Sequence, residues 1–294
     1  MKHVFWLLLI LAPLAQATAK FEIFQYPEER NYTSADKGWM QYYARSVYHT
    51  STFSLTFDDG PDLIKTPQIL DILKKHDVKA TFFVLTSKVN SETFPLIKRM
   101  LDEGHIVGSH GPDHKRSVDQ TELQWKADLK RSLVELASWH KKAGHDFTNI
   151  FYRFPYGAYG NRADYHHMNT MRNLSRELMG DNCIQFAFWD VDTADWVPGM
   201  TAAEVAQNII AHNQGGQIVD FEAVKGPNGK ITYRKKIYTL KDHPGGGIVL
   251  QHDVQEPSIK ATDLFITYAK ERGVKLVRLD EVEEYKVLRN CQLL

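Results

Sequence analysis

The chain has 294 residues, 43% of them hydrophobic, enough to bury a large core as one α/β domain or two smaller ones. Its 36 Lys and Arg balance 36 Asp and Glu. No global field therefore draws in nucleic acid or an anionic membrane surface, and a neutral substrate fits this balance best.

The amino terminus reads as an export signal. Lys2 and His3 precede the apolar run Val4 to Ala12, and Ala15-Gln16-Ala17-Thr18-Ala19 offers cleavage after Ala17 or after Ala19. The run is too short for a comfortable membrane span, and no later stretch approaches the ~20 apolar residues that a spanning helix needs. Loss of residues 1–19 is expected to leave a soluble, exported protein, periplasmic or extracellular. No Cys stands near the cleavage point to take a lipid. Residues 20–52 are rich in Tyr and charge without a period, and read as an irregular arm that includes the glycosylation sequon Asn31-Tyr32-Thr33.

From Phe53 onward strands and helices alternate. Phe53 to Phe57 is the first predicted strand, Thr66 to His76 a helix, and Lys79 to Leu85 a β-rich second strand. Phe94 to Glu103 is a helix stopped by Gly104, His105 to Ser109 a third strand, and Leu123 to His140 a long amphipathic helix ending near Gly144. Ile150 to Phe154 gives a fourth strand, Ala163 to Met179 a helix before Gly180, and Ile184 to Val191 a fifth strand. Thr201 to His212 is a helix whose first residue suits an N-cap; Gly247 to Leu250 is a sixth strand, Asp263 to Arg272 a helix closed by Gly273, and Val274 to Leu279 a last strand. Repeated βα units specify a parallel sheet, open or closed into a barrel, as one domain over residues 53–294. One segment, 216–240, breaks the alternation: two β-rich runs flank Pro227-Asn228-Gly229, the composition of an inserted hairpin. It could serve as a structural flap, a lid or an interaction edge. Export permits a bridge between the only two cysteines, Cys183 and Cys291, the alternative being a small buried thiol at Cys183.

Each cluster of reactive side chains falls at the carboxyl end of a predicted strand, where parallel α/β folds build their sites. The first strand delivers Asp58 and Asp59, followed by the turn-forming Gly60-Pro61. Adjacent residues of a strand diverge, so the two acids can divide labour, one binding a cation and the other handling a proton. The third strand runs into His110 and His114, whose imidazoles can reach one ion from a helical face or a folded loop. With one oxygen from the acids they make a three-ligand set that leaves zinc an open position for water. The fourth strand ends in Arg153-Phe154-Pro155-Tyr156-Gly157, and an Arg aimed into the site would orient a carboxylate base. The fifth ends in Asp192-Thr193-Ala194-Asp195-Trp196 and the sixth in Leu250-Gln251-His252. His252 suits general acid work, Asp192 would favour its charged form, and Trp196 with Leu250 could wall an apolar pocket.

These five strings in this order resemble the polysaccharide deacetylases with a NodB homology domain, carbohydrate esterase family 4, over roughly Phe53 to Glu284. The resemblance implies a distorted (β/α) barrel that removes N-acetyl or O-acetyl groups from a glycan strand. By position it implies Asp58 as general base, with Asp59, His110 and His114 holding a divalent metal, usually zinc, with Co2+ or Ni2+ as alternatives. It further implies Arg153 as tether of the base, Asp192 as partner of the general acid His252, Tyr156 as a backbone N–H donor to the oxyanion, and Trp196 and Leu250 as walls of the methyl pocket. Two departures stand out. Gly111 occupies the place of a usual Ser or Thr after the first His, which removes a hydroxyl that would brace the metal loop, and the interval from Trp196 to Leu250 is long. The leading expectation is hydrolysis of the acetamide of N-acetylglucosamine in peptidoglycan. Chitin-like chains, poly-N-acetylglucosamine and acetylated xylan stand behind it, and a catalytically silent glycan-binding module is the competing class.

Overall fold

The computed structural model describes residues 44–158, 166–286 and 291. The export signal, most of the arm and its sequon lie outside these residues. Among them, no helix is long and apolar enough to cross a membrane.

The sheet is built around β1 (Thr52–Asp58), which is buried at every residue after the first. That is the pattern of a strand covered on both faces. On one side it pairs in parallel with β2 (Thr81–Val84), which leads to β3 (Ile106–Ser109), β4 (Phe151–Tyr152) and β5 (Gln185–Phe186). On the other side it pairs with β9 (Gly246–His252), which carries β6 (Val191–Asp192) at its outer edge. A short β10 (Lys275–Leu276) joins the start of β1, again in parallel. The helices are α1 (Lys65–His76), α2 (Phe94–Asp102), α3 (Glu122–Ala143), α4 (His166–Met179), α5 (Ala202–Gln214) and α6 (Glu256–Arg272).

Strand alternation sorts the core into two layers. Phe82, Val107, Tyr152 and Val249 pack in one cluster with helix residues such as Ile69, Ile97, Leu133 and Phe265. Their chain neighbours Phe83, Ile106, Phe151 and Ile248 form a second cluster on the other face of the sheet, closed from one end by Leu279, Val282 and Tyr285. Ser54, Thr56 and Asp58 of β1 point to that second, concave face, because Phe53, Leu55 and Phe57 belong to the helix side.

The fifth predicted strand, Ile184 to Val191, is in fact two strands on opposite edges of the sheet: β5 pairs with β4 and β6 with β9. Only residues 187–190 separate them, so the two edges lie within about 17 Å, the reach of five extended residues. The sheet is therefore a half-barrel curled almost to closure, and residues 187–190 cross the gap. Helix α6 also starts earlier than its apolar period indicated, at Glu256, with Pro257 in its first turn. Proline is tolerated there because the missing N–H has no intrahelical partner. The capping residue expected at Thr201 is present: its side chain accepts from the Glu204 N–H and Glu204 reaches back, the reciprocal arrangement also seen at Thr121 and Gln124.

The inserted hairpin comprises β7 (Gly216–Lys225) and β8 (Ile231–Leu240), paired antiparallel in a separate two-stranded sheet. Cys183 and Cys291 form a disulfide with Cα atoms 5.7 Å apart, tying the carboxyl-terminal segment to the approach to β5 across 108 residues. A loop of that length predicts that reduction, or Cys183→Ser, costs roughly 2–5 kcal/mol of unfolding stability in a urea titration. An unchanged midpoint under reductant would show that the bridge does not form in the protein.

Candidate active site

Register alone brings the proton-handling groups together. Asp58 lies opposite His252 on β9 and opposite Phe83 on β2, at the carboxyl ends of all three strands. Arg153 follows β4 and is fully buried. Its Nη1 donates to Asp58 Oδ1 at 2.8 Å and to Thr56 Oγ1 at 2.7 Å, its Nε to the Ala187 carbonyl at 2.9 Å and its Nη2 to the Phe188 carbonyl at 3.0 Å. The guanidinium also stacks over the Phe83 ring at 4.2 Å. Burial pushes the Asp58 carboxyl above the usual carboxylate range, while Arg153 and then His252 oppose that rise. The outcome is a carboxylate with a stronger hold on a proton than an exposed Asp, a useful property in a base.

Asp59 takes the opposite direction because the chain turns at it, with φ of 76°. Its neighbour Gly60 has no room for a side chain: a Cβ there would lie 2.1 Å from Asp253 Oδ2. Asp59 Oδ1 sits 3.5 Å from His110 Nε2 and 3.3 Å from His114 Nε2, and is buried with no hydrogen-bond partner. His110 Nδ1 lies 2.8 Å from the Arg153 carbonyl, which only accepts, so the proton is on Nδ1 and Nε2 carries a lone pair. Burial pushes His110 down to about 3 and also lowers His114, so both rings are neutral at physiological pH. Ligand atoms of Asp59, His110 and His114 thus lie within 4.8 Å of one another, with Asp59 Oδ1 lacking a hydrogen-bond partner and His110 Nε2 carrying a lone pair. Two imidazoles with one carboxylate suit a divalent transition metal. The loop carrying His110 and His114 is braced despite Gly111. Its N–H donates to Ser109 Oγ at 3.1 Å, its carbonyl accepts from the Thr86 N–H, and its φ of 77° is one that Gly adopts without strain.

The expected pairing of Asp192 with His252 is corrected. His252 Nδ1 donates to Asp195 Oδ1 at 2.7 Å, and Asp195 Oδ2 accepts from the His252 backbone N–H at 2.7 Å and from Ser258 Oγ. Asp192 is still inside β6, in register with Leu250, and its Oδ1 accepts from Ala194 N and Trp196 Nε1 at 2.9 and 3.3 Å. It therefore shapes the turn that folds Asp195 back onto His252. Burial alone would lower the His252 pKa. The Asp195 carboxylate outweighs it, with Asp58 and Asp59 adding to the pull, and the ring is raised to about 10. His252 is accordingly a cation whose Nε2–H is free of the Asp195 bond.

Tyr156 carries its backbone at φ of 60° on the rim, with its ring 4.4 Å from that of His114 and 61% of its surface exposed. Leu250 is buried between Thr56 and Asp192 in the sheet register. Trp196 packs its ring 4.5 Å from Phe221 and 5.4 Å from Tyr233 of the hairpin. The structure thus gathers all ten residues singled out in the sequence at one rim and adds Asp195, Thr56 and Asp253. Asp253 directly follows His252; it is buried, accepts from Thr66 Oγ1 at 2.5 Å, and is pushed by burial up to about 7.

Comparison with known proteins gives a consistent answer. The family described as polysaccharide deacetylase matches residues 47–172. The chain is 31% identical over 274 residues to a peptidoglycan-N-acetylglucosamine deacetylase of Bacillus cereus, covering 91% of this chain and 82% of that protein. It is 33% identical over 232 residues to the peptidoglycan-N-acetylglucosamine deacetylase PgdA of Listeria monocytogenes, covering 78% of this chain but only 38% of that longer protein. Among solved structures, the peptidoglycan N-acetylglucosamine deacetylase Bc1960 superposes with a TM-score of 0.56 at 25% identity, over 80% of this chain and 89% of that one.

The two acids of the fifth strand end are separated by titration. In metal-free protein, Asp195→Asn is expected to drop the His252 imidazole from about 10 toward the ordinary histidine value near 6.5, followed by NMR. Asp192→Asn is expected to leave it well above that value. Equal effects of the two substitutions would contradict the assignment of Asp195.

Proposed function

The chain belongs to the polysaccharide deacetylase family, and from that premise we propose that it removes the acetyl group from N-acetylglucosamine residues of peptidoglycan by metal-dependent hydrolysis. The observation that carries this reading is the cluster of Asp59, His110 and His114, whose ligand atoms lie within 4.8 Å of one another, beside Asp58 and His252 in register on adjacent strands. The names of the relatives supply the substrate class, and the export signal read from the sequence agrees with a substrate outside the cytoplasm.

Asp59, His110 and His114 would hold the ion, for which zinc is our assignment. When bound, it supplies Lewis acidity toward water and the acetyl carbonyl. The remaining work falls to this chain's own groups. Asp58, held by Arg153 in one orientation, takes the proton of the attacking water. The Tyr156 backbone N–H offers a fixed dipole to the negative charge that develops on the carbonyl oxygen. His252, fixed by Asp195, donates its Nε2 proton to the departing amine. Trp196 and Leu250 border the space for the acetyl methyl group. Asp58 must be ionised and His252 protonated, so activity rises with pH through the first ionisation and falls through the second. The raised His252 pKa extends activity to the alkaline side.

Acetate release from peptidoglycan, and from chitooligosaccharides for comparison, tests this reading. Release that stops with chelator and returns with zinc is the expected result; no release from any acetylated sugar with zinc supplied would overturn it and leave a silent glycan-binding module. Asp58→Asn is expected to lower turnover by about 10²–10⁴-fold while metal content stays near one equivalent. His110→Ala and His114→Ala are expected to lose the ion itself, as measured by elemental analysis. If Asp58→Asn empties the site and Asp59→Asn does not, the division between the acids is reversed.

A further inference from the structure

The hairpin β7–β8 runs from the bottom of the half-barrel to beyond its catalytic rim. Its base follows the carboxyl end of α5. Asn208, midway along that helix, bonds both the N–H and the carbonyl of Val219, and Glu204, in the helix's first turn, pairs with Lys235. Phe221, in register with Lys235, and Tyr233, two residue-pairs further out, meet Trp196. The first turn of a helix in a βα unit lies at the carboxyl ends of the strands, so the hairpin reaches the level of the active site at Trp196. Beyond Tyr233, β8 extends two further residues to Ile231, about 7 Å of strand, before the turn at residues 226–230.

The two faces of this projecting part differ. Register places Glu222 opposite Arg234 on one face, and they form an ion pair. The other face is the one that touches Trp196. It continues from Tyr233 to Ile231, 44% and 56% exposed, and to Lys225, which is paired in register with Ile231. Lys225 forms no ion pair among the described residues, whereas Lys230, opposite Gly226 at the turn, falls on the Glu222–Arg234 face. A flat aromatic ring, an aliphatic neighbour and one unpaired ammonium group, continuous with the wall of the site, suit a sugar ring followed by a carboxylate. The neutral formal charge of the chain as a whole makes this unpaired cation a property of the hairpin tip.

We propose that the distal part of the hairpin is a substrate-binding arm that stacks a sugar of the glycan strand on Tyr233 and pairs Lys225 with a carboxylate carried by that strand. The proposal rests on the peptidoglycan reading, because the stem peptides of that polymer, and lactyl groups that carry no peptide, bear carboxylates and chitin-like chains bear none. The hairpin thereby selects among acetylated glycans, while the acetyl-removing machinery is indifferent to them.

The test compares kcat and KM for soluble peptidoglycan fragments and for a neutral N-acetylglucosamine oligomer of the same sugar length, with binding of both probes followed by calorimetry. The substitution Lys225→Gln is expected to raise KM for the peptidoglycan fragments about two- to threefold, the factor one exposed ion pair supplies. It is expected to leave kcat, and both constants for the neutral oligomer, at wild-type values. Tyr233→Ala is expected to raise KM and weaken binding for both probes several-fold without changing kcat. Wild-type constants in both variants, or an equal loss on the two probes in the lysine variant, would overturn the proposal. A wild-type protein that binds the probes with this charge preference but turns over neither would instead overturn the hydrolase reading and leave the arm standing.

Discussion

The structure depends on one buried ion pair, Arg153 with Asp58. A guanidinium with no exposed surface must have its donors satisfied and its charge balanced, since removing either partner would leave an uncompensated charge in the core. Arg153 meets both conditions with four acceptors: the base itself, Thr56, and the carbonyls of Ala187 and Phe188. Those carbonyls belong to the segment that crosses between the two free edges of the sheet. One side chain therefore closes the half-barrel and orients Asp58. A lysine carries the same charge but not the planar fork that reaches two strands and a crossing segment at once.

The second constraint is separation. Adjacent carboxylates repel, and each needs its own counter-charge. The turn at Asp59 gives Asp58 to Arg153 and gives Asp59 to a cluster of neutral imidazoles. Seven non-glycine residues have positive φ among the described residues, and four of them, Asp59, His114, Tyr156 and Ala194, lie in the loops of this rim. Non-glycine residues hold such backbone only where surrounding structure imposes it. Here the imposed turns set the directions of Asp59, His114, Tyr156 and, through Ala194, Asp195; the other three, His49, Ser51 and Asp77, lie away from the rim.

Much of this was legible in the chain. Apolar period and glycine stops located the helices, and the strand ends pointed to one rim because parallel βα units place their ends together. The errors have physical causes. Ile184 to Val191 reads as one strand because periodicity registers burial, and the crossing residues Ala187 and Phe188 are as buried as the strands they join. By its place in the string Asp192 to Trp196, the resemblance pairs Asp192 with His252. The strand register instead locks Asp192 into a turn, and the positive φ of Ala194 sends Asp195 back to His252. The adjacency of Asp195 to Trp196 was the one available signal. Nothing in the sequence marks Asp253 as a site neighbour, and Thr56, at the head of the string Thr56 to Pro61, carries no sign of its bond to Arg153; both roles come from contacts across strands and from the lack of space at Gly60. Gly111 removed a hydroxyl, but Ser109 and the backbone of Thr86 supply the bracing from positions that only the fold brings near.

The claim at the centre of this account is that neighbouring acids have different partners: a metal for Asp59 and a guanidinium for Asp58. A crystal structure of the zinc-loaded protein, with the ion located by anomalous scattering, tests it most directly. The account predicts an ion bound by Asp59 Oδ1, His110 Nε2 and His114 Nε2, with Asp58 Oδ1 still on Arg153. An ion ligated by Asp58, or density for zinc away from the two imidazoles, would contradict it.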